Sequence, residues 1–193
     1  MEKPIVVTNL DSLLIKHEAF LEPHKAWFDR AIKKTGDKSL EIWKGKEDYF
    51  IGVDIAMQKM MPKATPEQRI LQARKWYQED VIEYIRKNPS VVRREIAKKL
   101  MKLKKKYTLI LMTTNTEDYI DKIIEVSHLE NIYSGLISSK TEEEPNKDEL
   151  IRELINKFGK PKYYLTGKED VKTNDTFRAI GAEIVDEKDI GNL

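Results

Sequence analysis

Cysteine is absent from the 193-residue sequence, and histidine occurs only three times. The lack of cysteine excludes disulfide bonds, thiolate catalysis and zinc sites built on cysteine. His17, His24 and His128 are too scattered along the chain to suggest a histidine-based metal site, so we interpret them as structural residues. Any nucleophile in this protein must therefore be another kind of side chain.

Long apolar runs and a large charge excess are missing as well. No stretch approaches the roughly 18 apolar residues of a membrane span, and no basic and apolar leader opens the chain, so we expect a cytoplasmic protein without a membrane partner. The formal net charge is only +2. The densest basic stretch, residues 93–106, has no interleaved aromatic residues. We interpret it as the solvated face of an amphipathic helix and expect no nucleic-acid partner.

The hydrophobic pattern changes twice along the chain. Residues 4–9 form a short β-branched run that predicts a buried first strand. Residues 18–88 have apolar positions at helical spacing throughout, and Thr65 before Pro66 is a typical helix start. Strand and helix patterns then alternate to the end of the chain. We predict an α/β fold in which residues 1–17 and 89–193 build a Rossmann-like, doubly wound parallel sheet, with an all-helical insert at 18–88.

The later strands are predicted at residues 107–112, 132–138, 162–166 and 183–185, and the helices at 91–106, 117–126, 147–158 and 175–180. In open parallel sheets, ligands bind beyond the carboxyl ends of the strands. The segments in which we expect functional residues are therefore 9–12, 113–116, 138–147 and 167–175.

Four segments at these strand ends resemble the motifs of the haloacid dehalogenase superfamily. VVTNLDSLL at 6–14 resembles the first motif, an apolar strand followed by Asp-x-Asp-Gly-Thr-Leu, and LILMTTN at 109–115 resembles the second, a strand that ends in Thr or Ser. EPNK at 144–147 resembles the third motif, which supplies a lysine. YLTGK at 164–168 with AIGA at 179–182 resembles the fourth, which supplies metal-binding acids. The resemblance spans the whole chain, and the helical insert stands where this family has its cap.

The resemblance implies a role for each motif position. In an intact member, the first Asp attacks a phosphoryl group, the second Asp is the acid and base, Thr and Lys hold phosphoryl oxygens, and the later acids hold magnesium. Carried over, the catalytic positions are Asn9, Asp11, Thr113 and Lys147, and the ligand-binding positions are Ser12, Thr114, Gly167, Lys168 and Thr173.

Several of these positions depart from the family pattern. Asn9 replaces the nucleophile, and a neutral carboxamide is a poor nucleophile that adds no charge to a metal site. Lys168 replaces a metal-binding Asp, and counting back from Gly181 puts Thr173 where the second acid belongs. A hard cation prefers oxygen ligands and is repelled by an ammonium group. We therefore expect a degenerate site without a magnesium cofactor.

Two assignments stay open in the sequence. Alignment on Pro145 puts Glu144 in the place of the third-motif lysine, whereas alignment on the helix start selects Lys147. In the alternative, a shifted loop places Glu169 and Asp170 near Asp11, and the three carboxylates bind magnesium. Magnesium is then a cofactor of the protein.

The same residues also have purely structural interpretations. Asp11 could simply cap the turn after the first strand, and Thr113 could satisfy backbone groups at a strand end. Lys168 could be a solvated loop charge, could pair with Asp11, or could join Lys147 and Thr113 in a metal-free phosphate cradle.

Three functions are compatible with these patterns. The first is a non-catalytic or impaired module, of phosphatase ancestry, that binds a small phosphorylated or anionic ligand or regulates. The second is an active phosphatase of a small phosphorylated metabolite that uses the rearranged acids. The third is a structural protein that uses the Trp- and Met-rich insert as an interface, although such residues at helical spacing are more often core. The sequence identifies no particular protein partner.

Overall fold

The computed structural model describes residues 3–46, 49–140, 147–167 and 171–193. The chain forms two compact units. Met1–Lys16 together with Pro89–Leu193 make one, here called the core unit, and His17–Asn88 make the other, here called the inserted unit.

The core unit is built on five strands, which are β1 (Ile5–Thr8), β2 (Thr108–Thr116), β3 (Gly135–Ser139), β4 (Tyr163–Thr166) and β5 (Glu183–Asp186). They form one parallel sheet in the order β3-β2-β1-β4-β5, so β1 lies at the centre. The predicted Rossmann-like α/β fold is thereby confirmed. Thr8 pairs with Leu111 on one side and Leu165 on the other, so Asn9 follows at the same edge as the ends of β2 and β4.

The inserted unit contains helices α1 (Glu18–Thr35), α2 (Phe50–Met60) and α3 (Pro66–Lys87) and a 3-10 helix at Lys38–Trp43. α3 begins as predicted: Thr65 accepts a hydrogen bond from the N–H of Gln68, the side chain of Gln68 accepts one from the N–H of Thr65, and Pro66 occupies the first helical position. Trp27 and Met57 are 4 % and 1 % exposed in the apolar core of this unit. These two side chains are therefore core residues rather than a contact surface.

Around the sheet run α4 (Arg94–Leu103), α5 (Glu117–Ser127), α6 (Lys147–Phe158) and α7 (Val171–Ala179), with 3-10 helices at Pro89–Val91 and Glu187–Asn192. The core between sheet and helices includes Val7, Ile110, Leu154, Tyr164 and Phe177. Full burial of such a side chain contributes about 1.5–3 kcal/mol. None of the helices in the described ranges is long and apolar enough to cross a membrane.

Several element boundaries differ from the sequence prediction, among them the start of β3, which is at Gly135 instead of residue 132. β2 continues to Thr116, where it pairs with Ser139, instead of ending at residue 112. α4 begins at Arg94 rather than at residue 91, because Val91 and Val92 pair with the outgoing chain: the N–H of Lys16 donates to the carbonyl of Val91, and Val92 bridges Ile15. α7 begins at Val171 rather than at residue 175.

Candidate functional site

The chain makes a compact turn directly after β1. The N–H groups of Leu14 and Ile15 both donate to the carbonyl of Leu10 at 3.0 Å, and the N–H of Ser12 donates to the carbonyl of Ile15 at 2.7 Å. Ser12 has a φ of 64°, a conformation that favours glycine, and it occupies the position of the glycine in the family motif. Its hydroxyl donates to Asp11 Oδ1 at 3.1 Å. The turn thus restrains the carboxylate of Asp11.

The end of β4 lies directly against this turn. A Cβ atom added to Gly167 would lie 2.6 Å from the backbone nitrogen of Leu13, and closer still to the carbonyl of Ser12. Real Cβ contacts are essentially never that short. Only glycine therefore fits at this position, and the close approach brings the first- and fourth-motif segments together.

Arg93, which directly precedes α4, contacts the same turn from another side. Arg93 donates to the carbonyl of Ser12 at 2.9 Å and forms a two-pronged ion pair with Glu187, whose second bond measures 2.8 Å. Hydrogen bonding to Glu187 raises the pKa of Arg93 above its ordinary value. Arg93 was expected on a solvated basic face, and for this residue the expectation is wrong, because its side chain is only 20 % exposed.

Lys147 and Thr173 meet at the carboxyl ends of the strands. Lys147 is the first residue of α6, as the alignment on the helix start predicts, and its ammonium group donates to Thr173 Oγ1 at 2.9 Å. Thr173 is 4 % exposed and lies in the first turn of α7 rather than in a loop. The fold therefore joins a third-motif and a fourth-motif position in one hydrogen bond. Glu144 and Pro145, on which the other alignment depends, lie outside the described residues.

Two buried carboxamide oxygens belong to the same edge. Within the described ranges, neither Asn9 Oδ1 nor Asn174 Oδ1 has a hydrogen-bond partner, and Asn174 is only 7 % exposed. Asn174 precedes Phe177 by three residues. The ring of Phe177 stacks on the ring of Tyr164 in β4, with 4.1 Å between the ring centroids. Residues three apart share a helix face, so Asn174 lies on the sheet side of α7. Sequence reasoning missed Asn174, although its spacing from Phe177 was a usable signal.

The hydroxyl of Thr113 has a local partner. Thr113 Oγ1 accepts a hydrogen bond from the N–H of Asn115 at 3.1 Å, which is the backbone role considered from the sequence. Thr114 follows it within β2, and both side chains are half-buried. Lys168, Glu169 and Asp170 lie outside the described residues, so their predicted roles stay predictions.

A second polar pair lies beneath the site and was not foreseen. Thr8, the last residue of β1, is fully buried, and its hydroxyl shares a hydrogen bond of 2.9 Å with the hydroxyl of Tyr133. Burial raises the pKa of Tyr133, so the phenol stays protonated. This pair fixes the strand end from which Asn9 projects.

Comparisons with known proteins find structural relatives only. Neither a family model nor a curated protein matches the sequence. A haloacid dehalogenase-like hydrolase from Streptococcus pneumoniae is 15 % identical with a TM-score of 0.58, and the match covers 94 % of this chain and 83 % of that one. A haloacid dehalogenase-like hydrolase from Xanthomonas campestris is 13 % identical with a TM-score of 0.60, covering 94 % and 80 %. A predicted phosphoglycolate phosphatase from Haemophilus somnus is 17 % identical with a TM-score of 0.57, covering 96 % and 84 %.

The chain has a haloacid dehalogenase-like fold. In this fold, the resemblance of the sequence motifs assigns the nucleophile position to Asn9 and the adjacent acid position to Asp11. Both follow the central strand β1, between the ends of β2 and β4. The fold thus carries the motif positions in the order and at the sheet edge that the sequence predicts.

Magnesium, which the haloacid dehalogenase family implies, does not fit the described part of this edge. Magnesium prefers charged oxygen ligands, and a buried acceptor set of Asn9 Oδ1 and Asn174 Oδ1 supplies no charge. Thr173 is bonded to the ammonium of Lys147, which would repel a cation. In the described ranges, no group of three His, Cys, Asp or Glu side chains could hold a metal ion.

Proposed function

We propose that this haloacid dehalogenase-like protein binds a small phosphorylated ligand at the carboxyl edge of its sheet and does not form a phosphoryl intermediate at residue 9. The observation that carries the proposal is the carboxamide of Asn9 at the nucleophile position, with its buried Oδ1 unpartnered among the described residues. A carboxamide oxygen carries no negative charge and is a weak nucleophile. The phosphoryl group would therefore be held at this edge and not transferred.

Positive charge for an anion comes from Lys147. Its ammonium donates to Thr173 Oγ1, and this hydrogen bond holds the positive charge at the carboxyl ends of the strands. Hydrogen bonds from ammonium to phosphate oxygens are charge-assisted and therefore among the stronger ones. The N–H groups of Ser12, Leu14 and Ile15 are already bonded within the turn, so the ligand would depend on side chains more than on a backbone cradle.

The inserted unit is proposed to serve as the helical cap of this protein and to contribute ligand selectivity. It interrupts the core sequence directly after the β1 turn, between Lys16 and Pro89. We also propose a cytoplasmic location, with no membrane or nucleic-acid partner. Such a module would sense or sequester a phosphorylated metabolite.

One observation favours an active phosphatase as the second candidate. Asp11 is retained at the acid and base position, and the hydroxyl of Ser12 holds its carboxylate at 3.1 Å. This candidate needs a water nucleophile or a rearranged acid set that includes Glu169 and Asp170, with magnesium as cofactor. Restraint of Asp11 favours proton transfer but supplies neither requirement.

A pair of measurements separates the two candidates. Binding of ethyl phosphate is measured by calorimetry in excess chelator, and hydrolysis of a generic aryl phosphate is measured with magnesium present. The proposal expects binding in chelator and no turnover above buffer. Lys147→Met should abolish binding, whereas Lys157→Met, at the exposed far end of α6, should not. Turnover that requires magnesium would overturn the proposal in favour of the phosphatase.

A further inference from the structure

At the carboxyl edge of the sheet, the described residues include two buried hydrogen-bond acceptors that receive no hydrogen bond. Asn9 Oδ1 and Asn174 Oδ1 are buried and unpartnered within the described ranges. Buried polar groups in native proteins nearly always have a partner, since an unmet acceptor costs about 1–3 kcal/mol. Asn174 is 7 % exposed and adjoins Thr173, which receives the ammonium of Lys147. A ligand that donates a hydrogen bond to a carboxamide oxygen and accepts one from Lys147 would match both kinds of group.

The protonation state of a phosphate ester decides whether it can donate. The dianion has only acceptor oxygens, whereas the monoanion keeps one P–OH donor beside its acceptor oxygens. We infer that this site selects the singly protonated monoanion of a phosphate monoester: P–OH donates to a buried carboxamide oxygen, and the remaining oxygens accept from Lys147. The inference rests on the proposed function and adds the charge state of the ligand to it.

The described charges at this edge favour the same form. Lys147 contributes one positive charge and Asp11 one negative charge, so without a metal a bound dianion would leave twice the net negative charge that a bound monoanion leaves. Further charged groups lie in the first turns of the helices that begin at this edge, among them Asp118 of α5, Asp148 of α6 and Lys172 of α7. His128, the one histidine of the core unit, follows the carboxyl end of α5 and therefore lies at the opposite, amino edge of the sheet. Ligand binding between about pH 6 and pH 8 should thus follow the ligand's own proton, because the second pKa of phosphate monoesters is about 6.

The test compares ethyl phosphate with ethyl sulfate, a monoanion of similar shape that carries no proton. Calorimetric titrations of the full-length protein in chelator are run at about pH 6 and about pH 8. The inference expects the affinity for ethyl phosphate to fall roughly 50-fold over this range, in proportion to the monoanion fraction. Ethyl sulfate should bind at least about tenfold more weakly than ethyl phosphate at the lower pH and show no pH dependence, because it lacks the donor hydrogen.

Variants at residue 9 identify the acceptor. Asn9→Ala removes the acceptor without adding charge, so it should reduce the advantage of ethyl phosphate over ethyl sulfate. Asn156→Ala on the exposed face of α6 is the matched control and should behave as the parent. An unchanged advantage of ethyl phosphate over ethyl sulfate in both a folded Asn9→Ala variant and a folded Asn174→Ala variant would overturn the inference, because neither buried carboxamide oxygen would then accept the ligand's proton.

The remaining outcomes separate this inference from the proposed function. Equal binding of both esters, or tighter phosphate binding as pH rises, leaves an anion site in place and overturns the monoanion selection. No binding of either ester at either pH overturns the anion site itself and the inference with it.

Discussion

Lys147 at the start of α6 donates a hydrogen bond of 2.9 Å to Thr173 in the first turn of α7. Two helices that follow different strands of the sheet are therefore connected at its carboxyl edge. The motif resemblance aligns Thr173 with a metal-binding acid of the family. In this structure Thr173 supplies a neutral hydroxyl, which accepts a hydrogen bond from the ammonium group of Lys147.

Thr173→Val should weaken binding of ethyl phosphate in chelator about tenfold, because Lys147 loses the partner that orients its ammonium group. The control is Thr176→Val on the same helix, whose hydroxyl bonds only to the carbonyl of Lys172. Calorimetry of both variants checks the prediction. Equal affinities would show that the hydrogen bond between Lys147 and Thr173 does not contribute to ligand binding.

Asn9→Asp alone should not confer phosphatase activity with magnesium, because the new carboxylate would face a phosphoryl group without the metal that neutralises its charge. An aryl phosphate assay with circular dichroism as the folding check measures this. Calorimetry of the parent with magnesium should likewise give no micromolar affinity. A strong gain of activity in this variant would mean that Asn9 is the only defect and that Glu169 and Asp170 complete the site.

Gly167→Ala should destabilise the protein by roughly 1–3 kcal/mol or prevent folding, since its Cβ would overlap the backbone of Ser12 and Leu13. Gly191→Ala is the control, because an added Cβ there meets nothing within 4 Å. Urea unfolding of both variants gives the comparison. If Gly167→Ala is as stable as the parent, the close approach of β4 to the turn is not required.

Arg93→Met should cost about 1–3 kcal/mol, because it leaves the carbonyl of Ser12 and the carboxylate of Glu187 without their donor. The control is Arg86→Met, which breaks an ion pair with Glu83 whose side chains are 61 % and 47 % exposed. That pair should contribute at most about 0.5 kcal/mol. Urea unfolding that gives equal losses for the two variants would contradict the buried role of Arg93.

His24 should make the inserted unit less stable in acid. Burial lowers the pKa of His24 below its ordinary value of 6.5, against Phe28 and Tyr49 at ring distances of 5.1 and 4.4 Å. The unfolded chain then binds more protons than the folded one, so stability falls as pH drops below about 6.5. The control is His17→Gln, which changes an exposed histidine and should keep the fall of the unfolding temperature in acid. In His24→Gln the unfolding temperature should fall much less as the pH drops. The same slope in both variants would contradict the assignment.

The parallel sheet and most of its helices could be predicted, because they follow from short-range patterns. Alternating strand and helix runs predicted a parallel sheet without its strand order, and Lys147 was placed correctly at the start of its helix. The start of α7 was predicted too late because Thr173, Asn174 and Asp175 have modest helix propensity, and stacking of Phe177 on Tyr164 outweighs it.

Contacts between distant residues could not be predicted in the same way. Arg93 and Glu187 are far apart in sequence, and their pairing depends on where β5 ends relative to the β1 turn. The burial of Asn9 Oδ1 likewise depends on three strands in register, and an asparagine after a strand gives no local sign of it.

The bridge between Ile15 and Val92 brings together the two points at which the chain leaves and re-enters the core unit. The outgoing and returning backbones are antiparallel there, and the N–H of Arg93 donates to the carbonyl of Leu14 at 2.8 Å. A hairpin of two to five residues normally spans two such backbones. Replacement of the inserted unit by a short hairpin would therefore leave the pairing of Ile15 with Val92 and the strands of the core sheet in place.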